Sequence, residues 1–178
     1  MLRYLRLLII SLCLTISLVP VHAQSPNILS TSLNSSNIPK HEKLEATLDL
    51  TAIYQNPYDY RQVHIQAVFE SPSSQRIQVD GFYREGYDLT NPQTGAISPN
   101  AQDGSLVRLA PHEVGNWRVK FMLKEQNGVD STEWHSFQCT HSIRKGYIRT
   151  GTGSYLRFDN GDPYIGIGHN IAWPNTNP

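Results

Sequence analysis

The 178 residues carry 15 basic and 15 acidic side chains, for a formal net charge of zero, and no basic patch stands out. A chain balanced in this way lacks the electrostatic footprint of a nucleic-acid binder. Its two cysteines are too few for a disulfide scaffold, so the fold must be held by burial of apolar surface.

Residues 1–23 read as an export signal. Arg3 and Arg6 make a positive start, Leu7 to Val19 an apolar run, and Val21-His22-Ala23 a small-residue cleavage site. The run is too short to cross a hydrocarbon layer of roughly 30 Å as a helix. The expectation is a secreted, periplasmic or cell-surface protein with no membrane span once the signal is gone. Removing residues 1–23 leaves enough chain for one domain with a core. Cys13 leaves with the signal, so Cys139 has no internal partner. Set in the strand-like run HSFQCTHSI, it reads as a small buried hydrophobe.

From Gln24 to Lys43 Ser, Asn and Pro dominate and no period is sustained, which predicts a flexible leader. Asn34-Ser35-Ser36 within it matches the N-glycosylation acceptor pattern. Strand signals follow in series. Leu44, Ala46, Leu48 and Leu50 alternate with polar residues, and Val63, Ile65, Ala67 and Phe69 do the same. Ile77 and Val79 start a third strand, which runs past Gly81 to Phe82-Tyr83 with the glycine marking a bulge or close approach. Val107 and Leu109 form a short fourth run. Trp117, Val119, Phe121 and Leu123 alternate with Arg118, Lys120 and Lys124, and Phe137, Cys139 and Ile143 form the sixth. The stretch from Tyr87 to Ser105 reads as one long loop. No helical period appears after the signal. Short alternating strands divided by turn clusters predict an all-β, immunoglobulin-like antiparallel sandwich over residues 44–144.

Past Arg144 the pattern changes. GYIRT reads as a strand, and YLRFDNGDPYIGIG as a hairpin about Asn160-Gly161. Its second arm, Tyr164 to Gly168, lacks polar alternation, as a strand covered on both faces does.

Candidate chemistry is sparse. Glycosidases need two carboxylates about 5 to 9.5 Å apart with separated pKa values. Glu45, Asp49 and Glu70 point out of a sandwich face, and Asp88, Asp103, Asp130, Asp159 and Asp162 sit in turns, so no catalytic pair is expected. His135, Cys139 and His141 share one strand face, but ligands two and four residues apart on a single strand seldom converge. Neither a metal nor a cofactor is expected. Tyr54, Tyr58 and Tyr60 crowd the polar stretch YQNPYDY. Aromatic rings beside hydrogen-bonding groups suit the faces of sugars, so a poly- or oligosaccharide is the candidate partner; the same tyrosines could instead pack a sandwich edge.

Four stretches, NPYDY, VFESPSSQRIQVDGFY, RLAPHEVGNWRVKF and KGYIRTGTGSYLRFDNGDPYIGIGHNIAW, together resemble a family of exported glycoside-hydrolase-like proteins. In that family an immunoglobulin-like N-terminal domain of unknown function precedes a (β/α)8 barrel of cellulase or apiosidase-like kind. The resemblance runs from about Leu44 to Trp173. It implies that residues 145–178 are the hairpin and first strand of such a barrel, an incomplete start, because a whole barrel needs about 250 residues. It also implies that Asn170 and Trp173 would face substrate in an intact parent, and that the sandwich would pack on a catalytic barrel there. The function expected is a non-catalytic accessory domain of a secreted carbohydrate-degrading protein, here truncated. The alternative is a free-standing glycan-binding or cell-surface module.

Overall fold

In the computed structural model, residues 26–51, 54–153 and 155–168 are described. Residues 1–23, expected to be an export signal, and Asn170 and Trp173 lie outside them. Wherever the sequence alternates apolar and polar residues, the chain is extended and turns its apolar face inward. In chain order the strands are β1 (Ile28–Leu33), β2 (Asn37–Pro39), β3 (Leu44–Leu50), β4 (Val63–Glu70) and β5 (Arg76–Asp80). Next come β6 (Phe82–Arg84), β7 (Tyr87–Asn91), β8 (Ala96–Pro99), β9 (Gly104–Leu109) and β10 (Gly115–Glu125). Then follow β11 (Gly128–Ser131), β12 (His135–Thr140), β13 (Ile148–Thr150), β14 (Leu156–Phe158) and β15 (Pro163–Tyr164). The described residues contain no helix.

Two sheets face each other. The first has the order β1-β3-β9-β6, and the second β2-β12-β10-β4-β5. Their pairs are antiparallel except β2 with β12, which is parallel. β10 is the spine of the second sheet: one edge pairs with β4, the other with β12 and, further along, β11. Leu44, Ala46, Leu48 and Val107 come from one side, and Val63, Ile65, Ala67, Phe69, Trp117, Val119, Phe121, Leu123, Phe137 and Cys139 from the other. Trp117 lies over Phe137 with ring centroids 6.0 Å apart, and Phe137 meets Phe69 edge-on. Cys139 is a free, buried thiol, and burial pushes its pKa up. These are the faces that alternation predicted.

Five expectations are corrected. The flexible leader is part of the sandwich: β1 and β2 lie within it, and Ile38 of β2 is buried in the core. Strands with so few inward apolar residues cannot display a sustained period. Asn34 is engaged there too, since its amide donates to the Lys43 carbonyl at 3.1 Å and its oxygen accepts from the Glu45 amide at 2.9 Å.

The expected third strand is really two strands in different sheets. β5 pairs with β4, β6 pairs with β9, and the chain changes sheets at Gly81. A Cβ at Gly81 would lie 2.6 Å from Ile65 Cγ2, so only glycine fits this crossing without displacement. The long loop from Tyr87 to Ser105 instead holds the β7–β8 hairpin. Its apolar residues Leu89 and Ile97 are exposed, and a hairpin with no buried face carries no alternation.

The tail is corrected in part. β13, β14 and β15 form a small antiparallel sheet, and the hairpin turns near Asn160-Gly161 as expected, though its turn closes from Phe158 to Gly161 about Asp159-Asn160, with Gly161 left-handed at φ 92°. Pairing stops at Tyr164, however, and Ile167 is 94 % exposed. Ile143, expected in the sixth strand, lies beyond β12 and faces solvent. The tail is tied to the sandwich by the Tyr147 hydroxyl, which donates to the Ala110 carbonyl, and by the edge-on contact of Tyr147 with His41.

Candidate functional site

The three tyrosines singled out in the sequence all sit on the segment joining β3 to β4. That segment is built as a stiff turn. Asn56 Oδ1 accepts from the Tyr58 amide at 3.1 Å, and the Asp59 carbonyl accepts from Gln62 N at 2.8 Å. The Asp59 carboxylate takes the amide of Arg61 and two of its guanidinium nitrogens, at 2.9 to 3.1 Å. These bonds hold the Asp59 carboxyl below the usual carboxylate range. Side chains of such a turn are presented with little conformational freedom left to lose.

Around this turn run three adjoining clefts of about 500, 410 and 680 Å³. The first is lined by Tyr58, Tyr60, Phe82 and Tyr83, together with His64, Asp80 and Ser105. The second shares Pro57, Tyr83 and Ser105 with the first and reaches Tyr54, Asp49 and Asp103. The third shares Tyr60 and His64 with the first and continues to Lys124 and Glu125. The result is one three-lobed trough at an end of the sandwich.

The tyrosines are not equivalent. Tyr54 is half-buried against the core and its hydroxyl donates to the Glu125 carboxylate; burial and that carboxylate both push its pKa up. Its role is to anchor the turn. Tyr58 is 58 % exposed and meets Tyr83 edge-on at 5.3 Å, while Tyr60 is 72 % exposed. Phe82 has the Arg108 guanidinium 4.9 Å from its ring centroid. Sequence reasoning placed Phe82 and Tyr83 in a strand rather than at a site. The signal for their role was Gly81, whose sheet crossing swings them towards the tyrosine turn.

Of the three carboxylates expected to face outwards, Glu45 and Glu70 are occupied by bases, and Asp49 lines the second cleft. Partial burial would raise the Glu45 carboxyl, but hydrogen bonds from Arg108 and Lys43 outweigh it and hold the group below its usual range. Desolvation opposes the same result at Glu70, where Arg76 at 3.1 Å and Arg118 at 2.6 Å prevail. Of the acids expected in turns, Asp88 lies instead in β7 and Asp130 in β11; Asp88 accepts from Asn100, Asp103 from the Gly86 amide and Asp130 from the Ile28 amide. Asp159 accepts from Tyr147 N and Arg149, and Asp162 pairs with Lys145.

His135, Cys139 and His141 do not converge: His135 Nε2 lies 3.1 Å from Thr31 Oγ1, Cys139 is in the core, and His141 is exposed beyond β12. Among the described residues no group of three or more ligand-type side chains is placed to hold a metal ion.

Residues 37–125, half of the chain, match the family model described as Domain of unknown function (DUF5060). The chain belongs to the DUF5060 family. The DUF5060 match runs from β2 to the end of β10 and contains both walls of the trough, whereas β12 and the tail lie outside it. A crystal structure of a putative glycoside hydrolase from Bacteroides vulgatus superposes with a TM-score of 0.50 at 15 % identity. The overlap covers 72 % of this chain and 21 % of the other, so this chain spans about a fifth of that protein's length. At that identity the likeness is one of fold. No curated protein matches the chain.

Proposed function

We propose that this DUF5060 chain is a non-catalytic accessory domain of a secreted carbohydrate-degrading protein, an immunoglobulin-type sandwich that packs on a glycoside-hydrolase barrel in the intact parent. The observation that carries the reading is the shared fold with one part of a much longer putative glycoside hydrolase. The strand order supports the immunoglobulin type, since β1-β3-β9-β6 facing β12-β10-β4 corresponds to A-B-E-D facing G-F-C. Export is supported by Arg3 and Arg6 ahead of the apolar run and the small-residue site at Ala23. The non-catalytic role is supported by the carboxylates, most of which serve as acceptors for neighbouring bases and amides. The barrel-opening role of residues 145–178, with Asn170 and Trp173 towards substrate, rests on the family resemblance.

The test is hydrolysis. The purified chain, incubated with xylan, cellulose or pectin fragments, should release no more reducing sugar than buffer. Release that disappears when one of its own acids is replaced would overturn the accessory reading.

A second reading, a free-standing glycan-binding or cell-surface module, is favoured by the trough. Exposed aromatic rings on a stiff turn are what a sugar face requires.

A further inference from the structure

We infer that the trough around the Tyr54–Gln62 turn is a binding subsite for a neutral, extended oligosaccharide. This deepens the glycan-directed readings above and rests on them.

Three observations select that ligand class. The lining offers aromatic rings: Tyr58 and Tyr60 project into water, and Phe82 and Tyr83 line the same cleft. A pyranose presents an apolar C–H face to such rings and keeps its hydroxyls for polar neighbours. The rings are braced, Tyr58 by Tyr83 and Phe82 by Arg108, so binding need not first order them.

The second observation is extent. The three clefts share lining residues in series, and each falls in the range of about 300 to 1,000 Å³ usual for small-ligand sites. A single sugar would fill one lobe only, whereas a short chain can run from Asp49 past Tyr58 to Lys124.

Charge makes the third. Asp80 lines the first cleft, and Asp49 and Asp103 the second, with no lysine or arginine lining either. Cations appear only at the far end, where Lys124 and Arg61 line the third cleft, the Arg61 guanidinium being already bonded to Asp59. A uronate or sulfated chain would meet three carboxylates and no lysine or arginine across the first two lobes, which is repulsive there. Neutral sugar hydroxyls instead donate to those carboxylates, and such charge-assisted bonds are the strong ones.

The experiment is titration calorimetry of the full chain with three hexasaccharide probes: cellohexaose, xylohexaose and oligogalacturonate. The expected result is measurable binding of at least one neutral hexamer and none of the acidic one. Tyr58→Ala and Tyr60→Ala should each weaken binding about tenfold. Tyr155→Ala, on the exposed tail, should leave it unchanged. Far-UV circular dichroism of each variant checks that these exposed positions leave the fold intact. A preference for oligogalacturonate, binding indifferent to both tyrosine variants, or no binding of any probe would each overturn the inference. Reducing-sugar release measured on the same samples keeps the two claims apart. Hydrolysis would sink the accessory reading, whereas failure to bind without hydrolysis would sink only the subsite.

Discussion

Replacing Trp117 by alanine removes the largest fully buried side chain of the core. Trp117 is 1 % exposed, stacks on Phe137, meets His112 edge-on, and donates from Nε1 to the Glu113 carbonyl at 2.8 Å. A tryptophan buries at most about 250 Å², which at about 25 cal/mol per Å² bounds the transfer contribution near 6 kcal/mol. A denatured chain that is already partly compact lowers that bound, and the cavity left behind raises the cost again. The expected loss is therefore about 3–5 kcal/mol. It would be a large share of the roughly 5–15 kcal/mol that holds a domain of this size. Trp117→Phe keeps most of the ring contact and forfeits mainly the Nε1 bond, so it should cost about 1–2 kcal/mol. Urea denaturation followed by far-UV circular dichroism separates these values through the midpoint, provided the slope is unchanged. A shift below about 1 kcal/mol for Trp117→Ala would mean that the indole does not hold the two sheets together, and the account of the core would fall.

Gly81→Ala should destabilise by about 1–3 kcal/mol, because its Cβ would lie 2.6 and 2.8 Å from two Ile65 carbons and 3.1 Å from the Leu106 carbonyl; an unchanged thermal midpoint would show that the crossing can relax. Limited trypsin digestion should cut at Arg149 or Arg157, on the exposed strands β13 and β14, before any site in the sandwich. Equal resistance of the two parts would make the tail integral to the domain. His41 should make the tail contact sensitive to acid. Its backbone is left-handed at φ 66°, and its buried Nδ1 has no partner among the described residues. Burial lowers its pKa, with Lys40, His112 and Arg149 acting in the same direction and Asp159 against. Above pH 6.5 the ring is neutral in both states; as pH falls below 6.5 the unfolded chain takes the proton first, so stability drops until the folded pKa is passed. His41→Asn, which tolerates the same backbone, should flatten the fall in stability between about pH 7 and pH 5 seen for the natural chain. Identical slopes would refute the assignment.

Composition and alternation were enough to determine that this is an all-β sandwich and most of the residues that line it, Ile38 excepted. Trp117, Val119, Phe121 and Leu123 point inwards because a strand reverses its side chains at every residue, and only one arrangement hides all four. The hairpin near Asn160-Gly161 was legible for a similarly local reason, since its left-handed position, Gly161 at φ 92°, favours glycine. The crowding of Tyr54, Tyr58 and Tyr60 was visible too, but not their division of labour. Tertiary structure alone decided that Tyr54 is held by Glu125 while Tyr58 and Tyr60 face water. It also decided that β5 and β6 belong to different sheets and that the polar stretch before Leu44 supplies two strands. The physical reason is common to these cases. A strand such as Asn37–Pro39 is stabilised by the hydrogen bonds of a partner about a hundred residues away, and nothing in its own three side chains records that partner. The trough likewise exists only because Gly81, Phe82 and Tyr83 are brought beside a turn more than twenty residues earlier in the chain, through a pairing of backbones that local sequence does not encode.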